Sequence, residues 1–272
     1  MTRVFRELER VESRVLGALR CIDATTRSPV ETPLQLTLPQ GRLQRNRSGL
    51  YVIVQAPGLE AHEAEFDAPP PAPAVGSVAL VAPVSDPGGR YLPRSVAFTL
   101  PRDPAPANAA SPGSLFRAID VPMFPASAAP VGGNWALLRV SVTTPGSGDA
   151  AFALGGVLLR VLQDGEPLAR GLSDARGEAL VAVPGVPVTT WSDMPGAVVV
   201  GEINVQLEAT AETASVQRTP MADVAAGRAP ASAAVDPDRL EAGGAGFVRV
   251  SMPLALAAGR SQTVSVALAL PP

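Results

Sequence analysis

His62 is the residue with the clearest capacity for chemistry, because it is the only histidine of the chain and carboxylates flank it. Glu60, Glu63 and Glu65 lie close to it in the sequence. An imidazole beside carboxylates is the combination that general acid–base catalysis and cation binding use. A catalytic triad or a multi-histidine metal site would have to be built around His62. The alternative, a solvated acidic loop, is favoured here.

Two other groups of residues have reactive or ligating side chains. Cys21, the only cysteine, would need a neighbouring base to act as a nucleophile, and its apolar surroundings in a predicted strand favour a buried, inert thiol. Asp236 and Asp238, with help from Glu241, could coordinate calcium through carboxylate oxygens. Their spacing differs from that of an EF-hand, so a solvated loop is the favoured interpretation.

The basic residues point away from phosphate chemistry. All 22 are arginine, so a Schiff-base lysine and a phosphate-loop lysine are excluded. Arg42, Arg45 and Arg47 form a local cluster, but no interleaved aromatic residues offer a stacking platform, and the net charge of −3 argues against a nucleic-acid partner. The glycines at 132–133 and 243–246 lack a strand-to-helix context and are predicted turns. No catalytic, cofactor-binding or metal-binding residue is predicted, and the protein is not expected to be an enzyme.

The composition predicts an all-β chain. Its 29 prolines and 25 glycines separate short runs of valine, leucine and alanine, while 46% of the residues are hydrophobic, which is enough for packed cores. With a single cysteine, no disulfide framework holds the chain together. At 272 residues the chain is long enough for two sandwich domains.

Residues 156–183, GVLLRVLQDGEPLARGLSDARGEALVAV, show the strand pattern most clearly. Val157, Leu159 and Val161 alternate at the period of a strand. Asp164 and Gly165 predict a tight turn, because glycine accepts the positive φ that hairpin turns require. A second turn over residues 173–177 leads into the apolar run at 179–183.

This stretch resembles the carboxypeptidase regulatory-like domain, a small transthyretin-like β-sandwich. The matching positions are Gly165, Pro167, Leu168, Asp174 and Gly177, and Gly171 stands where that family has a small residue before a strand. A departure is Ala179, where the family prefers an aromatic residue. That family is mostly structural, so the resemblance implies an architecture rather than an activity.

An earlier segment can be laid over the same pattern. DATTRSPVETP aligns with QDGEPLARG, and RNRSGLYVIVQAPG aligns with SDARGEALVAVPG, in the same order. This predicts an internal duplication of one sandwich unit. The expected fold is therefore all-β, with two tandem immunoglobulin-like or transthyretin-like β-sandwich domains after a short N-terminal helix or arm.

The predicted domain boundaries follow composition and periodicity. Residues 1–15 form the N-terminal arm, in which Val4, Leu8, Val11 and Val15 make one apolar stripe of a helix. The first sandwich covers 16–103, a proline-rich linker covers 104–134, and the second sandwich covers 135–272. Residues 198–209 form a long strand, residues 220–226 a short helix, and residues 247–256 and 263–270 a terminal hairpin.

Residues 121–140, VPMFPASAAPVGGNWALLRV, resemble a segment of proteins from phage-tail-like contractile injection loci. In that arrangement, too, a proline-rich run lies between two sandwiches. The resemblance implies a non-enzymatic structural protein that binds other subunits of a large particle, at a baseplate, cap, sheath or fibre position. Contacts are expected through the N-terminal segment and sheet edges.

Two other function classes remain open. A sandwich could bind carbohydrate or another ligand through its loops, although two tryptophans and two tyrosines offer few rings for stacking on sugars. An enzyme based on His62 is the least favoured class. The N-terminal sequence lacks the apolar core of a signal peptide, and no apolar run is long enough to cross a bilayer. Cytoplasmic synthesis without membrane insertion is expected, with release only as part of a particle.

Overall fold

A computed structural model describes residues 14–65, 70–146, 151–187, 190–191, 198–199 and 201–271. The chain is predominantly β, with 46% of residues in strands and 8% in helices, which confirms the predicted all-β sandwich class. The predicted N-terminal helix falls almost entirely at residues 1–13, outside the described residues. No helix within the described ranges is long and apolar enough to cross a membrane.

The described part contains eighteen strands and three α-helices. The strands are β1 (Gly17–Asp23), β2 (Gln35–Leu36), β3 (Arg42–Arg45), β4 (Tyr51–Gln55), β5 (Val78–Ser85), β6 (Arg94–Leu100), β7 (Ile119–Met123), β8 (Ala136–Thr143), β9 (Phe152–Gly155), β10 (Leu158–Gln163), β11 (Glu166–Leu172), β12 (Glu178–Val183), β13 (Thr190–Trp191), β14 (Val198–Val199), β15 (Glu202–Glu212), β16 (Gln217–Pro220), β17 (Phe247–Ala257) and β18 (Ser261–Ala267). The helices are α1 (Glu60–Ala64), α2 (Met221–Ala225) and α3 (Pro237–Ala242).

The chain forms two compact units, each assembled from several segments. Unit 1 contains residues 1–20, 37–82 and 97–120, and unit 2 contains residues 21–36, 83–96 and 121–272. The stretch predicted as a linker, 104–134, holds a 3₁₀ turn at Pro106–Asn108 and the strand β7. The domain boundaries drawn from the sequence stay a prediction.

Unit 2 contains a β-sandwich with an aliphatic core. One sheet has the strand order β11-β10-β15-β17, and the other has the order β12-β8-β9-β16 with β18 paired to β8. Alternate residues of β8 are buried, beginning with Ala136 and Leu138, because successive side chains of a strand point to opposite faces. They pack in one core with side chains such as Leu159 and Leu207 of the facing sheet.

The hairpin predicted at Asp164 and Gly165 is confirmed. Both residues have positive φ, and β10 pairs with β11 in antiparallel register across them. The next turn depends on Asp174, whose Oδ1 accepts hydrogen bonds from the backbone N–H groups of Arg176 and Glu178 at 2.8 and 3.0 Å. Gly177 has φ +73 there. The chain then passes to the second sheet, where β12 pairs with β8.

The predicted terminal hairpin is wrong in its pairing, although both strands exist. β17 pairs with β15 in one sheet, whereas β18 pairs with β8 in parallel in the other. The chain crosses between sheets at Gly259, which has positive φ and whose N–H donates to the carbonyl of Trp135. Both strands place apolar side chains in the same core, so burial favours one strand in each sheet over a hairpin on one face.

Unit 1 is organised by the pairing of β1 with β4. The register is antiparallel, with Gly17 opposite Ile53 and Leu19 opposite Tyr51, and β3 pairs with the other side of β4. Leu19 and Ile53 are fully buried. The second strands of the two predicted copies have different partners, since β4 pairs with β1 but β12 pairs with β8. The proposed duplication stays a prediction.

Candidate functional site

His62 lies in α1, and its neighbouring carboxylates point to the backbone rather than to a shared cation. Its side chain is buried, with 5% exposure. Glu63 accepts a hydrogen bond from the N–H of Ala56, and Glu60 accepts one from the N–H of Gly58, both at 3.0 Å. No cluster of three histidine, cysteine or acidic residues among the described residues could hold a metal ion.

The environment of His62 disfavours its charged form. Burial lowers the pKa of the imidazole, and the positive charge of Arg14 lowers it further. Nδ1 is buried without a hydrogen-bond partner among the described residues. Metal ions bind the neutral form of imidazole, but Nδ1 of His62 makes no hydrogen bond within the described part of the chain of the kind that orients metal-binding and catalytic histidines.

Cys21 lies in β1, and its side chain is buried as predicted. Its backbone carbonyl accepts a hydrogen bond from the N–H of Val30 at 3.0 Å, in the turn that follows the strand. A thiol in such an apolar position behaves as a small hydrophobic side chain.

The three carboxylates that suggested calcium bind arginines and backbone amides instead. Asp236 caps α3 by accepting hydrogen bonds from the N–H groups of the following helical turn. The carboxylate of Asp238 lies 2.7 Å from Arg94, and that of Glu241 lies 2.9 Å from Arg170. A cation would have to displace a guanidinium from each of these two carboxylates. The contacts of Asp236, Asp238 and Glu241 therefore indicate a structural role, and neither a solvated loop nor a calcium site.

Arg94 was not singled out in the sequence analysis, although it is a charged residue whose side chain is fully buried. Its guanidinium donates to the carbonyl of Pro122 at 2.9 Å and to Oδ2 of Asp238 at 2.7 Å, and Asp236 lies 3.7 Å away. The sequence contained a signal of this burial, because Arg94 and Val96 are alternate residues of β6 and so point to the same, buried face. A charge at an inward position needs an acidic partner, and residues 236–238 supply two.

A second charged network crosses the outer face of the sheet β11-β10-β15-β17. Arg160 of β10 donates to Glu208 of β15 at 3.0 Å and contacts Glu241 of α3 at 3.3 Å. Arg249 of β17 lies 3.5 Å from the same Glu208. These pairs join three strands and a helix, so they stabilise the arrangement of elements in unit 2.

The predicted arginine cluster lies at a sheet edge. Arg42 and Arg45 belong to β3, the outer strand of the order β3-β4-β1-β7. Arg45 lies above the ring of Tyr51 at 6.0 Å. Charged side chains on an outer strand discourage pairing with strands of other molecules. The glycines at 243 and 246 have positive φ between α3 and β17, as expected of turns.

A polar cleft of about 360 Å³ lies in unit 2 beside β8 and β18. Arg176 forms its centre: it donates to Oγ of Ser127 at 3.0 Å and pairs with Asp174 and Glu178, each at 2.9 Å. Arg139 adds a second guanidinium to the cleft wall. The cleft presents hydroxyl, carboxylate and guanidinium groups together, and no aromatic ring is among its described lining residues.

Two of the outer strands of the unit 2 sandwich, β17 and β18, differ in how their free edges are protected. β17 contains Pro253, which lacks an N–H, and the side-chain amide of Gln262 donates to the carbonyl of Ala255 at 2.7 Å. β18, by contrast, has the sequence SQTVSVA, without proline or charge, and within the described residues it pairs only with β8. Exposed edges of natural sheets are normally protected by such residues. The edge of β18 is therefore better suited to a partner strand than the edge of β17.

Comparison with protein-family models, curated proteins and solved structures finds no match for this chain.

Proposed function

We propose that this chain is a non-enzymatic structural subunit of a large multiprotein particle, and that a neighbouring subunit binds it by adding a strand to β18. The observation that carries the proposal is the unprotected edge of β18 beside the protected edge of β17. Main-chain hydrogen bonds along seven residues would supply affinity, and the exposed side chains of alternate residues would supply specificity.

The use of charged residues supports a structural role. Arg94 and Arg160 pair with carboxylates from distant parts of the sequence, Asp238 and Glu208. Such pairs fix the relative positions of strands and helices, which a subunit in a loaded assembly requires. Glu60 and Glu63, which flank His62, accept hydrogen bonds from backbone N–H groups.

The proposed particle is a phage-tail-like contractile injection system. The resemblance of residues 121–140 to proteins of such loci is the ground for this choice, together with a sandwich that no disulfide stabilises. A particle assembled in the cytoplasm suits a disulfide-free β protein, because thiols stay reduced there. The subunit would lie at a baseplate, cap, sheath or fibre position.

Sedimentation tests the proposal. A tagged copy is produced in its native host, particles are pelleted, and electron microscopy locates the tag. Ser265→Lys places a charge on an exposed position of β18, and Ser251→Lys places the same charge on an exposed position of β17 as the matched control. We expect wild type and Ser251→Lys to pellet with tail-like particles, and Ser265→Lys to remain folded but soluble.

Two outcomes would count against the proposal in different ways. If the wild-type chain never pellets with a particle, the assembly role is wrong. If Ser265→Lys pellets like wild type, the particle role stands but the edge of β18 is not the contact. Circular dichroism of each variant confirms that the sandwich is intact.

A ligand-binding module is the second candidate, and the polar cleft around Arg176 favours it. Its volume of about 360 Å³ lies in the range of small-molecule sites. Hydroxyl and charged groups of this kind can bind a sugar, although no ring is available for stacking among the described lining residues. Glycan-array binding by the full chain that is lost in Arg176→Gln would establish this function, and a blank array would remove it.

A further inference from the structure

Unit 1 contains a cavity of about 180 Å³ whose wall is apolar and basic. Five prolines line it, together with valines, leucines, His62 and two arginines, Arg14 and Arg102. We name this feature the proline cavity. Its rim is exposed: Val15 is 45% and Val75 is 58% accessible to solvent. Exposed apolar residues that surround a concave wall mark an interaction site rather than an ordinary surface.

The charge of the proline cavity is positive. No aspartate or glutamate is among its described lining residues. The guanidinium of Arg102 donates to backbone carbonyls, including that of Ser114 at 3.1 and 3.3 Å, and these partners carry no negative charge. Burial lowers the pKa of Arg102, and the nearby positive charge of Arg117 lowers it further. An anionic group at the mouth of the cavity would relieve this repulsion.

The size of the proline cavity restricts what can fill it. Small-molecule sites usually enclose roughly 300–1,000 Å³, whereas this cavity encloses about 180 Å³. That volume suits one or two apolar side chains of a polypeptide better than a whole organic ligand. The prolines give the wall a rigid shape, which lowers the entropic cost of binding.

We propose that the proline cavity binds an apolar side chain of a partner-protein segment that carries carboxylates beside that side chain. The apolar side chain fills the space next to Val75, and the carboxylates lie near Arg14 and Arg102. The inference rests on the proposed function in taking another subunit as the source of the segment. It adds a second contact, in unit 1, to the strand addition at β18 in unit 2.

Fluorescence anisotropy of the full chain with three labelled peptides tests the inference. The first is Gly-Glu-Glu-Leu-Phe-Glu-Glu-Gly, the second replaces each glutamate with arginine, and the third replaces Leu-Phe with Ser-Ser. We expect binding of the first peptide alone, and weaker binding at high salt, because two half-buried arginines, Arg14 and Arg102, line the cavity.

Two variants with the same substitution locate the binding. Val75→Asp places a carboxylate in the cavity rim, and Val81→Asp places one on β5, at a similarly exposed valine (53%) that does not line the cavity. We expect Val75→Asp to weaken binding about tenfold or more and Val81→Asp to leave it unchanged, since only the first repels the ligand's carboxylates and wets the apolar wall.

Three results would overturn the inference: no binding of the first peptide, equal binding of the Ser-Ser peptide, or equal binding by Val75→Asp and Val81→Asp. The two proposals fail separately. Sedimentation of Ser265→Lys tests the strand addition, whereas peptide binding tests the proline cavity and does not require a particle.

Discussion

Replacing Arg94 tests whether the charged residues of unit 2 stabilise its fold. The guanidinium is fully buried and donates to Ser95 O, Pro122 O and Asp238 Oδ2 at 3.1, 2.9 and 2.7 Å. Arg94→Met keeps much of the side-chain volume but removes all three donors. The variant therefore separates the hydrogen bonds and the charge from simple packing.

The magnitude follows from what each partner becomes after the substitution. Breaking a buried ion pair costs about 3–5 kcal/mol, because a desolvated group is left without a partner. Here Asp238 is 57% exposed and regains water, whereas the carbonyl of Pro122 loses a charged donor, worth about 1.5–3 kcal/mol. We expect Arg94→Met to lower the free energy of unfolding by about 3 kcal/mol, at the low end of the range for buried pairs.

Urea denaturation followed by far-UV circular dichroism measures this loss. Arg228→Met is the matched control, because Arg228 also pairs with an aspartate, at 2.8 Å, but is 66% exposed. An exposed pair contributes about 1 kcal/mol or less. The loss for Arg94→Met should also be insensitive to salt, since buried pairs are screened less than surface pairs. Equal losses for the two variants would refute the reasoning.

Gly177→Ala should lower the free energy of unfolding by about 2 kcal/mol or more, because φ is +73 and the new Cβ would overlap the carbonyl oxygen of Val142. Gly165→Ala places its Cβ in open space, so it should lower this free energy less in the same thermal denaturation assay. Burial lowers the pKa of His62, so the unfolded chain binds the imidazole proton more tightly than the folded chain does. Stability should therefore fall as the pH drops below about 6.5. A pH profile of Tm that is the same in His62→Phe as in wild type would contradict this. Burial and a hydrogen bond to Asp23 raise the pKa of Tyr91 to about 12. Stability should therefore be lost as the pH rises from about 10 toward that value. Ultraviolet titration of wild type should show a phenolate that forms only near that pH, and Tyr91→Phe should lack it.

The strands were predictable where alternation and turn residues coincided. β10, β12 and β15 each overlap a stretch that the apolar pattern indicated as a strand. The turn at Gly165 and the turn at Gly177 follow from backbone conformations that other residues rarely adopt. The helix expected near residue 220 is present as α2. Local signals were sufficient in each case, because the deciding residues are neighbours in sequence.

The candidate site was less predictable, because its partners are distant in sequence. Arg94 pairs with Asp238 across 144 positions, and its inward position on β6 indicates that it needs an acidic partner but not which one. Two of the carboxylates that suggested calcium, Asp238 and Glu241, have arginines from β6, β10 and β11 as partners. The chemical type of a residue is known from the sequence, whereas its ion-pair partner depends on which strands become neighbours in the fold.

The sequence by itself determined an all-β chain and the tight turns at Gly165 and Gly177, because these depend on side-chain type and on a periodicity of two residues. Only the tertiary structure decided that β18 pairs with β8 in parallel instead of folding back on β17, and that β17 is a protected edge while β18 is an open one. The physical reason is that β17 and β18 both place alternate apolar side chains in the same core. Local pattern therefore specifies which side chains go inside, and the choice of sheet depends on packing across the whole core.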